Sequence, residues 1–175
     1  MMNLMEVLQH RRSVRNYTGE HIPEEALRQV LQAGLLSPSG RARRPWEFIV
    51  VRDRDRLDQL ARSRASAGML SGADCAIVVL GDEDKTDTWP EDCSIAMCNM
   101  HLMADALGLG SCWIQGRIRN TQDGQQTMED YLRQLLHFPE HCRLEAILSL
   151  GMPQSHPAPQ DLESLEQDKI HLEQF

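Results

Sequence analysis

Regular cysteine spacing is missing from this sequence. No Cys-x-x-Cys pair occurs, and the five cysteines do not combine with histidines at the spacing that marks a zinc site. An odd number of separated cysteines predicts free thiols and a reducing, cytoplasmic location. Cys75, Cys98 and Cys112 lie in apolar runs, where a thiol behaves as a small core side chain. We therefore predict neither a disulfide framework nor a metal site.

Long apolar segments are also missing. No stretch approaches the roughly 20 apolar residues that a membrane-spanning helix needs. The N-terminus has no apolar segment followed by a cleavage site. We therefore expect a soluble, cytoplasmic protein with no membrane partner, and the length of 175 residues predicts a single domain over 1–175.

Positive charge is scarce outside the N-terminal third. The formal net charge is −8, which argues against nucleic acid as a partner. However, 12 of the 18 basic residues, all arginine, lie between Arg11 and Arg64. Residues 1–64 carry a net charge of +4, and the remainder carries −12. This pattern predicts a local anion site for a small phosphorylated ligand rather than a surface for a long polyanion.

The segment Arg-Arg-Ser-Val-Arg, residues 11–15, is the strongest candidate for that anion site. A guanidinium group offers a rigid fork of donors that matches phosphate oxygens two at a time, and a serine hydroxyl can add another bond. If residues 3–11 are helical and the chain then extends, Arg11, Ser13 and Arg15 lie on one side. The alternative interpretation is a solvated basic turn at a helix end.

Apolar periodicity predicts helices and strands in succession along the chain. Helices are predicted over 23–36, 53–65, 91–107 and 128–136, and strands over 46–51, 76–80, 111–115 and 144–150.

The helix over 91–107 is apolar on nearly every face, which indicates burial on most sides and, in so short a chain, packing against a second copy. Cys93 at its start is interpreted as a packing residue rather than a redox centre. His101 and Asp105 are four residues apart on one face, which predicts a hydrogen-bonded pair; the alternative is the beginning of a metal site.

The last segment, 152–175, is polar and spaced by prolines, which is typical of an extended C-terminal arm. Its apolar residues Ile170, Leu172 and Phe175 favour an arm that wraps a neighbouring subunit over one that moves freely in solvent.

Three separated segments together resemble the nitroreductase-like family of FMN-dependent NAD(P)H oxidoreductases. They are residues 11–15 with Tyr17, residues 37–48 (SPSG through RPWEF), and residues 92–116 with Asp-Cys-Ser, Gly-Leu-Gly and Trp-Ile-Gln-Gly. The resemblance implies an α+β fold with a central, mostly antiparallel sheet flanked by helices. It also implies an intertwined homodimer with a C-terminal arm and with FMN sites at the subunit interface.

The resemblance assigns cofactor-binding roles to the N-terminal segment. It implies that Arg11 and Ser13 bind the FMN phosphate and ribityl chain, and that Arg15 approaches the pyrimidine edge of the flavin ring. Arg12 matches a less constant position of the same motif.

Two further segments match cofactor-binding positions of the family. The resemblance implies that Pro38, Ser39 and Gly40 form a loop that crosses to the flavin of the other subunit. It implies that the backbone of Gln115 and Gly116 lies under the ring near N5, the atom that accepts hydride.

The sequence departs from the family pattern at two places. Ala42 stands where the family often has an asparagine that reaches the flavin ring, and the tail reads Gln160 and Leu162 where basic residues commonly return to the phosphate. Each lost charge-assisted bond costs on the order of 1.5–3 kcal/mol. Arg41, Arg43 and Arg44 are candidates to replace those cations from the loop.

The resemblance implies an enzyme in which NAD(P)H gives hydride to flavin N5, and the flavin then reduces a nitroaromatic, a quinone or a similar acceptor. Because the cofactor carries the chemistry, no catalytic side chain is predicted. One alternative is a protein with weakened FMN binding that acts as a flavin sensor, a carrier or a structural dimer without turnover. Another is a specialised chemistry such as reductive dehalogenation, which usually needs an added lid.

Overall fold

The computed structural model describes residues 3–175, and in this range five α-helices surround a sheet of four strands. The helices are α1 (Leu4–His10), α2 (Glu24–Leu35), α3 (Arg54–Ser63), α4 (Trp89–Ala106) and α5 (Met128–Leu136). The strands are β1 (Trp46–Val51), β2 (Cys75–Asp82), β3 (Gly110–Gln115) and β4 (Cys142–Gly151).

The sheet has the strand order β1-β2-β4-β3, and each neighbouring pair is antiparallel. The two central strands are buried over nearly their whole length. This burial requires cover on both faces, which explains why these strands read as continuous apolar runs rather than as alternating ones. The predicted α+β class with an antiparallel sheet and flanking helices is confirmed.

Alternate residues of β2 divide the core into two layers. Ile77 and Val79 pack with Met97 and Met100 of α4 on one face of the sheet. The residues between them face the opposite layer, which contains side chains of α3 and α5, such as Leu60 and Leu132. Because alternate strand residues point to opposite faces, α2 and α4 pack on one face of the sheet, and α3 and α5 pack on the other.

The helices begin at residues that satisfy their free backbone N–H groups. The carboxylate of Asp53 accepts from the backbone N–H of Arg56, and the hydroxyl of Thr127 accepts from that of Asp130. The predicted bounds agree with the structure to within two residues at every end, including the end of α3. That helix ends at Ser63, and Ala65–Ser71 form a separate 3-10 helix.

The N-terminal segment after α1 lies across the paired strands β3 and β4, where two glycines make room for it. Gly110 and Gly151 are cross-strand partners. A Cβ on Gly110 would lie 2.7 Å from Cγ1 of Val14, and one on Gly151 would lie 2.9 Å from Cδ1 of Tyr17. Val14 and Tyr17 therefore fill the space that a side chain at Gly110 or at Gly151 would otherwise occupy.

The C-terminal segment 152–175 divides into two parts. Residues 152–160 return along the N-terminal segment, with backbone bonds from Gln154 N to Asn16 O (3.0 Å) and from Gln160 N to Gln9 O (2.9 Å). Residues 161–175 are exposed throughout. Residues 161–175 include Ile170, Leu172 and Phe175, for which contact with a neighbouring subunit stays a prediction.

The outer side of α4 is exposed in the single chain. Ile95 is 41% exposed, and Cys98 is also exposed, which corrects its predicted place in the core. The apolar run around Cys98 did not predict its burial, because successive helical residues point in different directions. Met97 is therefore buried, while its neighbour Cys98 is exposed. No helix within residues 3–175 combines the length and the apolar character needed to cross a bilayer.

Candidate functional site

A cleft of about 760 Å³ lies between the N-terminal segment, strand β3 and the 3-10 helix Ala65–Ser71. Residues 112–115 of β3 form one wall, and residues 15–17 form another. The volume lies in the range of roughly 300–1,000 Å³ that is typical of cofactor and small-ligand sites.

Three guanidinium groups line this cleft, those of Arg15, Arg64 and Arg119. Each contacts a backbone carbonyl. Arg15 donates to Ser13 O (3.4 Å), Arg64 to Gln115 O (3.1 Å) and Arg119 to Ile118 O (2.9 Å). Within residues 3–175 none of the three forms a salt bridge with a carboxylate. The cleft therefore presents net positive charge to a ligand, which favours an anion.

Gln115 reaches the cleft with its side chain already bonded within the protein. The indole N–H of Trp113 donates to Gln115 Oε1 at 2.8 Å, and Gln115 Nε2 donates to the carbonyl of Arg117 at 3.3 Å. Both of its polar side-chain atoms are thus engaged. The side chain of Gln115 is thus held within the protein, and the contact of its backbone with a flavin stays a prediction.

The other half of the arginine segment lies beyond the cleft, against α4. Arg11 Nη1 contacts His101 Nε2 at 3.0 Å, and His101 Nδ1 contacts Ser111 Oγ at 2.5 Å. Because a guanidinium can only donate, Nε2 must accept, which places the imidazole proton on Nδ1. Burial, assisted by the charge of Arg11, lowers the pKa of His101 to about 4. His101 is therefore neutral at pH 7 and holds Arg11 in position.

Ser13 and Arg12 have structural contacts of their own. Ser13 forms a parallel bridge with Ser111, and this bridge aligns the N-terminal segment with β3. Arg12 donates to the carbonyl of Ala158 in the returning C-terminal segment. Of the predicted residues in 11–15, only Arg15 lines the cleft. The roles of Arg11, Arg12 and Ser13 towards a ligand remain predictions.

The predicted loop of small residues lies at the beginning of α4 rather than on this cleft. The backbone N–H of Gly40 donates to Asp92 Oδ1 at 2.9 Å, and Ser39 Oγ accepts from the backbone N–H of Arg44 at 2.9 Å. A Cβ on Gly40 would lie 3.0 Å from Thr88 Oγ1. Within one chain, Ser39 and Gly40 therefore serve loop packing, whereas Pro38 is exposed. The contact of all three with a second subunit's ligand stays a prediction.

Gly116 has a packing role that the sequence did not reveal. A Cβ at this position would lie 2.6 Å from Cδ2 of the buried Leu144. Gly116 lines a neighbouring cleft of about 900 Å³, where the guanidinium of Arg117 stands 5.6 Å from the ring centroid of Trp89. The predicted pair Gln115–Gly116 therefore contributes one residue to each cleft.

Ala42 occupies a backbone conformation that suits a different residue. Its φ is 55°, and Arg41 and Arg44 also have positive φ values of 50° and 48°. Asparagine adopts this left-handed region more readily than alanine does. The departure at Ala42 thus removes a side-chain amide and also places a less suitable residue in the loop.

Sequence reasoning missed part of the cleft wall. Arg64 and Arg119 were not singled out, and neither was the small-residue segment 65–72 that faces them. One signal was present in the sequence: Arg64 is followed directly by Ala-Ser-Ala-Gly. The helix predicted over 53–65 includes only Ala65 of this run, and the residues after it carried no prediction.

Asp105 and His101 do not form the predicted pair. His101 bonds to Arg11 and Ser111, whereas Asp105 contacts His10 and His156. The four-residue spacing correctly predicted a shared helix face, but side chains from two other segments insert there.

The packing role of Cys93 fits the structure, since the thiol is fully buried, contacts Leu80 O, and has a pKa raised by burial to about 12.

A sequence model of the Nitroreductase family matches residues 8–68 and 59–152 of this chain. The chain belongs to the nitroreductase family. An inferred NADH dehydrogenase/NAD(P)H nitroreductase of Methanothermobacter thermautotrophicus is 36% identical over 180 residues, covering 99% of this chain and 88% of the relative. The family predicted from the sequence motifs is therefore confirmed.

Solved structures of family members superpose closely. An FMN-dependent nitroreductase from Clostridium difficile R20291 matches with a TM-score of 0.92 and 37% identity, covering 98% of this chain and 99% of that one. An inferred nitroreductase of Desulfovibrio desulfuricans in complex with FMN matches with a TM-score of 0.77 and 27% identity, over 100% of this chain and 99% of that one. The nitroreductase-like fold is thus confirmed over nearly the whole chain.

Proposed function

We propose that this protein is an FMN-dependent oxidoreductase that passes hydride from NADH or NADPH, through flavin N5, to a small acceptor such as a nitroaromatic or a quinone. The observation that carries the proposal is the cationic cleft beside β3, in a chain that belongs to the nitroreductase family. The cofactor and donor named for its relatives support the same chemistry.

The residues of the cleft fit FMN by their chemistry. FMN joins an anionic phosphate to a flat ring that has one polar edge. The cleft offers cations at Arg15, Arg64 and Arg119 together with half-buried apolar surface at Trp113 and Met69. Cations, strand backbone and apolar walls in one cavity are what such a ligand requires.

Arg15 would act on the cofactor through its charge. When bound, FMN supplies an acceptor and donor of hydride at N5. A cation held beside the polar edge of the bound ring would stabilise negative charge there and make reduction easier. Arg64, bonded to the carbonyl of Gln115, would hold the wall of β3 against the ring.

Tyr17 lines the cleft but is unsuited to proton transfer. Its hydroxyl donates to the carbonyl of Val14 at 2.9 Å and contacts Ser149 Oγ at 2.6 Å. Burial raises the pKa of Tyr17 well above its ordinary value. The phenol therefore stays protonated and fastens the N-terminal segment to β4, and no cleft residue is assigned as a catalytic acid or base.

A homodimer forms part of the proposal. Large apolar side chains are exposed on α1, at the end of α2 and on α4, including Leu4, Leu8, Leu36 and Ile95. Together with the exposed apolar residues of 161–175, they offer a surface that a second copy would bury.

Deletion of residues 161–175 tests the part of the arm in this dimer. We expect weaker self-association in sedimentation equilibrium and little change in the melting of the isolated subunit, because the segment is exposed in the single chain. Unchanged mass and melting would show that the segment contributes to neither.

The visible absorption spectrum of purified protein, recorded before and after addition of FMN and removal of the excess, tests the function. We expect paired flavin bands and, under anaerobic conditions, bleaching of those bands by NADH or NADPH. Arg28→Ala provides a control, because Arg28 pairs with Glu25 on the exposed side of α2, away from the cleft.

Two outcomes would contradict the enzymatic proposal. A colourless protein after FMN addition would indicate that Ala42, Gln160 and Leu162 have disabled the site. Bound FMN that neither nicotinamide bleaches would favour the sensor or carrier alternative.

A further inference from the structure

Three potential metal ligands from distant parts of the chain meet at one place. His10 ends α1, Asp105 lies in the last turn of α4, and His156 belongs to the returning C-terminal segment. His10 Nδ1 is 2.9 Å from Asp105 Oδ2, and His156 Nε2 is 3.1 Å from Asp105 Oδ1. The carboxylate is buried with 4% of its side chain exposed, whereas the two histidine side chains are 37% and 21% exposed.

The contacts of His156 determine where its proton lies. Its Nδ1 is 2.7 Å from the carbonyl oxygen of Pro157. A carbonyl can only accept, so Nδ1 carries the proton and donates it. In the neutral imidazole, Nε2 then has a lone pair, and this lone pair points at an oxygen of the buried Asp105.

Two lone pairs that face each other at this distance require a cation between or beside them, either a second proton on His156 or a metal ion. We propose that the cation is a divalent transition metal, of which Zn²⁺ is the representative, bound by His10, Asp105 and His156. A ligating histidine typically donates its other ring N–H to a backbone carbonyl, as His156 does. Two imidazoles and one carboxylate are a donor set that zinc accepts in proteins.

The separations of the ligand atoms agree with this assignment. Zinc bonds of about 2.0–2.2 Å in tetrahedral geometry place neighbouring ligand atoms roughly 3.3 Å apart. The ligand atoms of the cluster lie within 4.8 Å of one another, and the two N–O separations are 2.9 and 3.1 Å. The rings of His10 and His156 stack with centroids 4.1 Å apart and planes 18° apart, so one ring would have to turn for both nitrogens to bind one ion. Both side chains are partly exposed, which leaves room for that turn and for a water as a fourth ligand.

The position of the cluster indicates a structural role. The ion would connect α1, α4 and the C-terminal segment. Its ligand His10 directly precedes Arg11 and Arg12 in the sequence. Because a metal that binds only the folded chain stabilises it by mass action, Zn²⁺ should raise the melting temperature. This inference goes beyond the proposed oxidoreductase function and does not depend on it, since none of the three ligands lines the flavin cleft.

The test uses full-length, tag-free protein that has been stripped with a chelator. Cys98→Ser serves as the background, because Cys98 is an exposed thiol that can also bind metal. Zn²⁺ binding is measured by calorimetry, and Co²⁺ binding by the visible bands of a low-coordinate site. We expect one ion per chain, with affinity lowered at least about tenfold in His10→Gln and in His156→Gln.

His21→Gln is the matched control. His21 also bonds to a buried carboxylate, with Nδ1 2.6 Å from Asp74 Oδ1, but it is 86% exposed and lies outside the cluster. This variant should bind Zn²⁺ as the background protein does. Retained FMN absorbance with absent Zn²⁺ binding would overturn the metal site and leave the oxidoreductase proposal intact.

Two results would overturn the inference. One is the absence of stoichiometric Zn²⁺ and Co²⁺ binding by the background protein. The other is binding that the His10→Gln and His156→Gln variants retain in full. Either result would mean that the cation between His156 and Asp105 is a proton rather than a metal ion.

Discussion

The two ends of the Arg11–Arg15 segment differ in what already holds their guanidinium groups. Arg11 donates to the buried, neutral His101, and Arg12 donates to a carbonyl of the C-terminal segment. Arg15 has one long contact, 3.4 Å to Ser13 O, and faces the cleft. Identical side chains in one short motif therefore divide between a preorganised end and an end that is available to a ligand.

This difference has an energetic meaning. A guanidinium that is already positioned loses little conformational freedom when an anion arrives, whereas a mobile one must be ordered at that moment. Arg11 should therefore contribute mainly to affinity for a phosphate. Arg15, close to the strand wall, should contribute mainly to the charge environment of the ring. The variants below test this division.

The largest expected effect concerns His101, which holds the preorganised end. Its pKa is about 4 in the folded protein against an ordinary value of 6.5, because burial and Arg11 oppose the charged form more than Asp105 favours it. Between these pH values the unfolded chain binds the proton more readily, so stability falls as the pH drops from 6.5 towards 4. The loss should reach up to about 3 kcal/mol.

Urea unfolding of the wild type and of His101→Gln at pH 7 and pH 4.5 measures this effect. Glutamine can still accept from Arg11, but it does not titrate. The variant should lose less stability at the lower pH than the wild type does. Equal losses would show that His101 is not the group responsible.

Arg11→Ala should have the next largest effect, a loss of FMN affinity of about tenfold to a hundredfold, because it removes a charge-assisted bond worth roughly 1.5–3 kcal/mol. Fluorescence quenching of FMN on titration with protein measures it, with Arg28→Ala as the control. Unchanged affinity would remove the preorganised end from the phosphate site.

Arg15→Gln should weaken FMN binding less, by roughly tenfold at most, since Arg15 is more exposed to solvent. It should also lower the reduction potential of the bound flavin, which spectroelectrochemical titration measures. A fall in potential with Arg11→Ala but not with Arg15→Gln would reverse the proposed division.

Arg12→Gln should have the smallest effect. The variant loses the contact to Ala158, which is worth about 1 kcal/mol or less at an exposed site. FMN affinity should stay within about threefold of the wild type. Limited proteolysis after residue 152 should become faster, and unchanged proteolysis would show that this contact does not hold the segment.

Most secondary structure was predictable because each element carries its own signal. The strand Trp46–Val51 and the helix Met128–Leu136 agree with their predicted bounds, since apolar periodicity and capping residues lie within the elements themselves. The segment after Arg64 was not predictable in this way. Its 3-10 conformation depends on packing under the cleft rather than on local propensity.

The candidate site was predictable only where a motif is contiguous. Arg15 and Gln115 were found because each belongs to a short family motif and also lines the cleft. Arg64 and Arg119 were missed because they enter from separate loops. The contacts of His101 and Asp105 were wrongly predicted, since their true partners are 90 and 95 residues away at Arg11 and His10.

The sequence by itself determined the family, the order of the helices and strands, and the arginine segment, because these depend on residues that are neighbours along the chain. Only the tertiary structure decided which arginines face the cleft, that the segment 152–175 divides near residue 160, and that His10 and His156 meet at Asp105. The physical reason is that these contacts join residues far apart in the chain, and the packing of the sheet and helices brings them together.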